Sequence, residues 1–154
     1  GLTVGGEAVV GVVLEPVTGR VTYAARGAGC WTRSGDGEAV RCRVTATADV
    51  GRGVLVQSRS KAGKGPKPTE RALAPGSVRE TYSAGLKLAI VARGEGDVYV
   101  NDYVGFHDWD VCAGHVLVEE AGGRVTLFDG SPLRYGRPPN QRRGLVASNG
   151  AMHD

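Results

Sequence analysis

The sequence predicts an α/β protein, a mixed β-sheet with flanking helices preceded by an antiparallel meander, in a single domain spanning residues 1–154. Three observations carry this. In the second half, β-like runs at 97–101, 124–127 and 144–148 alternate with segments of helical period. Before residue 60, short β-branched runs follow one another with Gly and Pro turns between them. The composition, 41% apolar and 23% charged over 154 residues, suits a globular chain that buries a core.

Taken in order, residues 2–4 and 8–14 are strands flanking the hairpin signal Gly5-Gly6. Pro16-Val17-Thr18-Gly19 is a turn, 20–25 a third strand, and the run into Cys30-Trp31 a fourth. A polar loop at 33–38 leads to a strand at 40–44 and a core-like run at 53–57. Residues 62–76 hold three of the seven prolines and read as an irregular excursion. Its Gly63-Lys64-Gly65 lacks the spacing of a phosphate-cradling loop and runs into Pro66. Ser83 is expected to cap a helix with Leu86, Ala89, Ile90 and Arg93 near one face and Gly94 as its stop. After the strand at 97–101, residues 101–108 are expected to be a connection, and 149–154 the start of another helix.

The second predicted helix holds the strongest chemical signal. Val111, Gly114, Leu117, Val118 and Ala121 recur on one helical face, and Gly122-Gly123 supply the stop. Asp110 then falls at the N-cap or in the first turn, where unpaired N–H groups and the helix dipole favour a negative charge. Ala113 and Gly114 would let a ligand approach the backbone, so this end suits an anion or a metal; capping alone also accounts for a lone Asp. Ser83 and Lys87 share a face at i, i+4, a hydroxyl and a cation suited to phosphate; a solvated Lys stem is the plainer reading.

Other functions are excluded by composition. No apolar run approaches the roughly 18 residues of a membrane span, so no membrane partner is expected. Net charge is +3 and dispersed. Arg59, Lys61, Lys64, Lys67 and Arg71 lie among Gly and Pro without aromatic partners, which describes a solvated loop and no surface for a nucleic-acid polymer. Cys30, Cys42 and Cys112 form no C-x-x-C pair, as expected of a reduced, cytoplasmic protein, and the sequence offers Cys112 no base.

Read together, Ser83-Ala84-Gly85-Leu86-Lys87, Ala92-Arg93-Gly94-Glu95-Gly96-Asp97-Val98-Tyr99, Trp109-Asp110-x-x-Ala113-Gly114, Glu120-Ala121-Gly122-Gly123, Gly130-Ser131-Pro132-Leu133 and Val146-Ala147-Ser148-Asn149 resemble the C-terminal half of the inositol monophosphatase superfamily. The resemblance implies the C-terminal part of the sugar-phosphatase fold and Mg²⁺-dependent hydrolysis of a phosphate monoester, in which metal ions activate a water and neutralise phosphoryl oxygens. It implies that Asp110 is a metal ligand and that Ser83, Ala84, Lys87, Asn101 and Asp110 line the substrate pocket.

The family's other metal ligands lie in Gly-Glu-x-Glu and Asp-Pro-x-Asp-Gly-Thr segments, which this sequence lacks. It is therefore expected to be an incomplete portion with little or no phosphatase activity alone, acting as a homodimer or with an N-terminal segment. Within the superfamily, Leu86-Lys87 resembles the 3'(2'),5'-bisphosphate nucleotidases, in which a Lys holds the second phosphate of 3'-phosphoadenosine 5'-phosphate, the product being AMP. Ala84 stands where those enzymes often carry Ser, and Asn101 where they carry Arg and inositol phosphatases carry Glu. The alternatives are an inositol 1-phosphate or other sugar-phosphate phosphatase and, in another class, a non-catalytic degenerate or interaction domain.

Overall fold

The structure, a computed structural model, describes residues 1–59, 65–136 and 141–153. Among them the first sheet is an antiparallel meander of β1 (Leu2–Val4), β2 (Glu7–Glu15), β3 (Arg20–Ala25), β4 (Gly29–Ser34) and β5 (Val40–Arg41), in that spatial order. The second is mixed and contains β6 (Val54–Ser58), β7 (Ser77–Thr81), β8 (Val98–His107), β9 (Arg124–Thr126) and β10 (Gln141–Ser148), in the order β7-β6-β8-β10-β9. There β6 runs parallel to β7 and β8, whereas β10 runs antiparallel to β8 and β9. The α/β class and the N-terminal meander follow the sequence reading.

Two helices, α2 (Ala84–Ala92) and α3 (Asp108–Glu120), pack against each other and against strands of both sheets, with α1 (Pro68–Leu73) a short turn of helix before β7. The core forms in this middle layer, around Leu88, Ile90, Val111 and Leu117 between Leu55, Leu145 and the inner face of the meander. Close approach is bought with glycine. A Cβ on Gly11 of β2 would fall 2.2 Å from the Ala113 carbonyl oxygen of α3. Among the described residues no helix is long and apolar enough to cross a membrane.

Several boundaries differ from the sequence reading, each for a physical reason. The strand expected at 40–44 ends at Arg41, because the chain leaves the meander and the Val44 N–H donates to the Ala121 carbonyl at the end of α3. Residues 101–108 are no connection: β8 continues to His107 beside β10, with register shifts around Arg143 that absorb the Asn-Asp and Gly residues which resemble a loop. The described part of the 62–76 excursion contains α1, opened by Pro68, while Gly63 and Lys64 lie outside the described residues. Residues 150–153 form a turn, with Asn149 buried and bonded to Thr45 and Thr47.

Candidate active site

Parallel β6, β7 and β8 end along one edge of the second sheet, and the chain turns from β7 into α2 and from β8 into α3 within a few residues. Both helix N-termini therefore meet that edge, the carboxyl end of the strands where α/β sheets bind ligands. A cleft of about 240 Å³ opens there, lined by Ala84 and Lys87 of α2, Asn101 of β8 and Asp110 of α3. Tyr99, Tyr103 and Ser58 also line it, with Gly105 and Phe106 of β8.

Lys87 is 4% exposed, which overturns the solvated reading. Helix α2 is buried from Lys87 through Ala92, which leaves no outward face there for a solvated stem. Its Nζ lies 4.9 Å from the centroid of the Tyr99 ring, and among the described residues no carboxylate forms an ion pair with it. Burial first, and the charge of Lys67 second, lower its pKa to about 8. Burial likewise pushes the Tyr99 phenol up, helped by the charges of Asp110 and Asp102, so the ring remains a neutral floor beneath the ammonium.

Asp110 is the third residue of α3, and its Oδ2 accepts the His107 backbone N–H at 2.7 Å. The carboxylate is exposed in the cleft and caps the helix at the same time. The His107 imidazole stacks on Trp109 with ring centroids 4.2 Å apart. Ala113 and Gly114 do not admit a ligand. Ala113 meets Gly11 of β2 and Gly114 meets Leu88 of α2, so their small size serves packing inside the middle layer.

Asn101 presents its amide to the cleft, where Oδ1 accepts the Tyr103 N–H at 3.0 Å and Nδ2 remains a donor. Ser83 stands apart from these four residues. It occupies the N-cap position at φ 59° without a side-chain capping bond, and faces a separate apolar cavity with Val13, Pro16 and Leu86. Cys112 is buried beside the first strand, and burial raises its thiol pKa, the opposite of an activated nucleophile.

The model of the inositol monophosphatase family matches residues 1–154. The chain belongs to the inositol monophosphatase family. It is similar to the fructose-1,6-bisphosphatase/inositol-1-monophosphatase of Thermotoga maritima, 30% identical over 149 residues, covering 97% of this chain and 54% of that one. It is also similar to 3'(2'),5'-bisphosphate nucleotidase 1 of Rattus norvegicus, 26% identical over 145 residues, covering 88% of this chain and 44% of that one. The solved inositol monophosphatase from Anabaena superposes on all of this chain and 60% of its own length, with a TM-score of 0.79 and 31% identity. The chain thus spans about half the length of the curated relatives it matches.

Not all of the family's motif residues here face the cleft. Asp97 is buried and accepts the Val54 N–H at 2.7 Å, the Thr45 hydroxyl and the Asn149 amide, joining β6, β8 and the turn after β10. Arg93 is equally internal, bonded to Glu15, Glu95 and Thr22. The cleft also contains Tyr99 and Tyr103, to which the sequence reading gives no role in the pocket. Tyr99, Asn101 and Tyr103 alternate along β8 with strand period, a signal hidden by ending that strand at Asn101.

Among the described residues that line the cleft, the exposed Asp110 supplies the one carboxylate this inositol monophosphatase family chain offers to Mg²⁺. Among the described residues no cluster of three or more His, Cys, Asp or Glu side chains comes together as a metal site. Asp110 fits a single ligand of a shared ion, and a multi-metal cluster needs donors beyond those described.

Proposed function

We propose that the cleft binds the phosphoryl groups of a small phosphorylated metabolite and forms one wall of a Mg²⁺-dependent phosphomonoesterase site. A 3'(2'),5'-bisphosphate nucleotide is the favoured substrate. The observation that carries this is the convergence of Lys87, Asn101 and Asp110 on one cleft at the N-termini of α2 and α3. Lys87 supplies a point charge in a desolvated setting, where an anion binds more strongly than on an open surface. Asn101 Nδ2 donates a further hydrogen bond, and the small Ala84 leaves room against α2. Asp110 is the metal ligand in this reading. Mg²⁺ bound there would supply Lewis acidity toward the phosphoryl oxygens and an activated water.

One donor does not hold a multi-metal cluster, so the 154-residue chain is expected to turn over little or no substrate alone. A non-catalytic binding domain is the second reading, favoured by that same scarcity of carboxylates. The test is phosphate release from 3'-phosphoadenosine 5'-phosphate and inositol 1-phosphate with Mg²⁺, beside calorimetric binding of both. Tighter binding of the bisphosphate supports the nucleotidase assignment, and equal affinity for both removes it. Brisk turnover by the purified chain would contradict the incomplete-site reading. Finding Gly-Glu-x-Glu and Asp-Pro-x-Asp-Gly-Thr in the coding sequence upstream of Gly1 would favour the enzyme over the binding domain.

A further inference from the structure

Beside the Lys87 cleft lies a second cavity of about 320 Å³, and the two share a wall formed by Ser58, Tyr99, Asn101 and Tyr103. Lys67 lines this second cavity. Local sequence fixes its place: Pro66 and Pro68 bracket it, Pro68 opens α1, and Lys67 is the N-cap in extended backbone. Its ammonium donates to the Ser58 backbone carbonyl and lies 3.4 Å from Glu80 Oε1 of β7. The amine is thus tied to the end of β6, at the seam of the two cavities.

Lys87 reaches the other side of that seam from α2. Among the described residues, Asp110 of α3 shares the cleft with Lys87, Asp102 of β8 and the Arg59 cation line the second cavity, Glu80 of β7 partly neutralises Lys67, and Glu70 of α1 accepts the Lys67 backbone N–H. Lys67 is close enough for its charge to oppose protonation of Lys87. The Lys67 charge therefore disfavours the charged form of Lys87, and an anion lying between the two ammonium groups would relieve that repulsion.

We propose that Lys67 and Lys87, from two different elements, form a two-ammonium cradle for the second phosphoryl group of a doubly phosphorylated substrate, which makes Lys67 a specificity-determining residue. The inference rests on the reading of the cleft as a phosphomonoester site. Lys67 acts on affinity for the distal phosphate and takes no part in the bond-breaking step.

Calorimetric titration of the 154-residue chain with 3'-phosphoadenosine 5'-phosphate and with AMP tests it. The bisphosphate is expected to bind more tightly than AMP. Lys67→Met is expected to weaken bisphosphate binding about tenfold, the loss of one charge-assisted contact, while AMP binding hardly changes. Lys67→Arg should retain the preference. If Lys67→Met loses its cooperative thermal transition, Lys67→Gln provides the same comparison. An unchanged bisphosphate-to-AMP ratio, an equal loss for both ligands, or no preference in the wild-type chain overturns the cradle. Phosphate release is scored separately: a chain that keeps the preference but fails as a phosphatase even with the upstream residues supplied sinks the enzymatic reading and leaves the cradle standing.

Discussion

Gly114 of α3 lies so close to Leu88 of α2 that a Cβ built on it would come within 2.4 Å of the Leu88 Cβ and Cδ1 atoms. Both residues are buried, and the contact sets the spacing of the helices that carry Lys87 and Asp110. Gly114→Ala should therefore push the helices apart and destabilise the chain by about 1–3 kcal/mol, despite the higher helix propensity of Ala. Thermal unfolding measures the loss. A Gly114→Ala chain as stable as wild type would show that the contact relaxes freely.

Lys87 makes binding and stability respond to pH in opposite senses. Its pKa falls from 10.5 to about 8 on folding, so between those values the unfolded chain holds more protons than the native one. Stability should accordingly rise as pH increases from 8 to 10.5, and below pH 8 the buried charge is a standing cost. Anion affinity depends on the charged form and should fall as pH rises through about 8. Lys87→Met is expected to raise the melting temperature at pH 7 and to abolish most bisphosphate binding together with its pH dependence. Denaturation and calorimetry across pH 6–10 check both senses.

Asp110 serves the helix and, in the proposed function, the metal. Asp110→Asn retains an oxygen able to accept the His107 N–H but removes the charge beside the helix N-terminus. The expected stability loss is about 0.5–1 kcal/mol. Loss of Mg²⁺ affinity should be far larger, because a neutral amide is a poor ligand for a hard cation. Mg²⁺ titration followed by amide NMR shifts around α3 separates the two roles. Equal Mg²⁺ responses in both chains would leave Asp110 as a cap alone.

The fold was legible where the sequence carries period and punctuation together. Gly5-Gly6, Pro16 through Gly19, and the Val111–Leu117–Ala121 face preceding Gly122-Gly123 each fixed an element, because turn chemistry and burial pattern agree there. It was less legible where partners distant in sequence decide. Strand β8 continues past Asn101 because β10, some forty residues later, supplies its hydrogen bonds. The unanticipated edge strand β7 is held by β6 across the described end of the 62–76 excursion. The site followed the same division. Asp110 was marked by its place at a helix start, and Lys87 by its motif, whereas burial of Lys87 and the arrival of Lys67 from α1 depend on packing that no local pattern records.

Asp97 links that packing to the cleft, and its removal should be the most destructive of these changes. Its two carboxylate oxygens take the Val54 N–H, the Thr45 hydroxyl and the Asn149 amide, while the Asp97 N–H donates to the Val54 carbonyl at 2.9 Å. Asp97→Ala leaves the Val54 N–H and the Thr45 hydroxyl without their acceptor, at a cost of about 1–3 kcal/mol for each neutral group left unpaired, while the Asn149 amide keeps Thr45 and Thr47. The chain is expected to unfold or melt far below wild type. Asp97→Asn presents an NH₂ to donors on one side and should lose about half as much, because one oxygen can still accept. Since Ser58 ends β6 and Asn101 lies in β8, the two strands that Asp97 joins, a folded Asp97→Asn chain should also bind phosphate more weakly while its Lys87 titration is little changed. Unchanged phosphate affinity in a folded, destabilised variant would show that the cleft tolerates movement between β6 and β8.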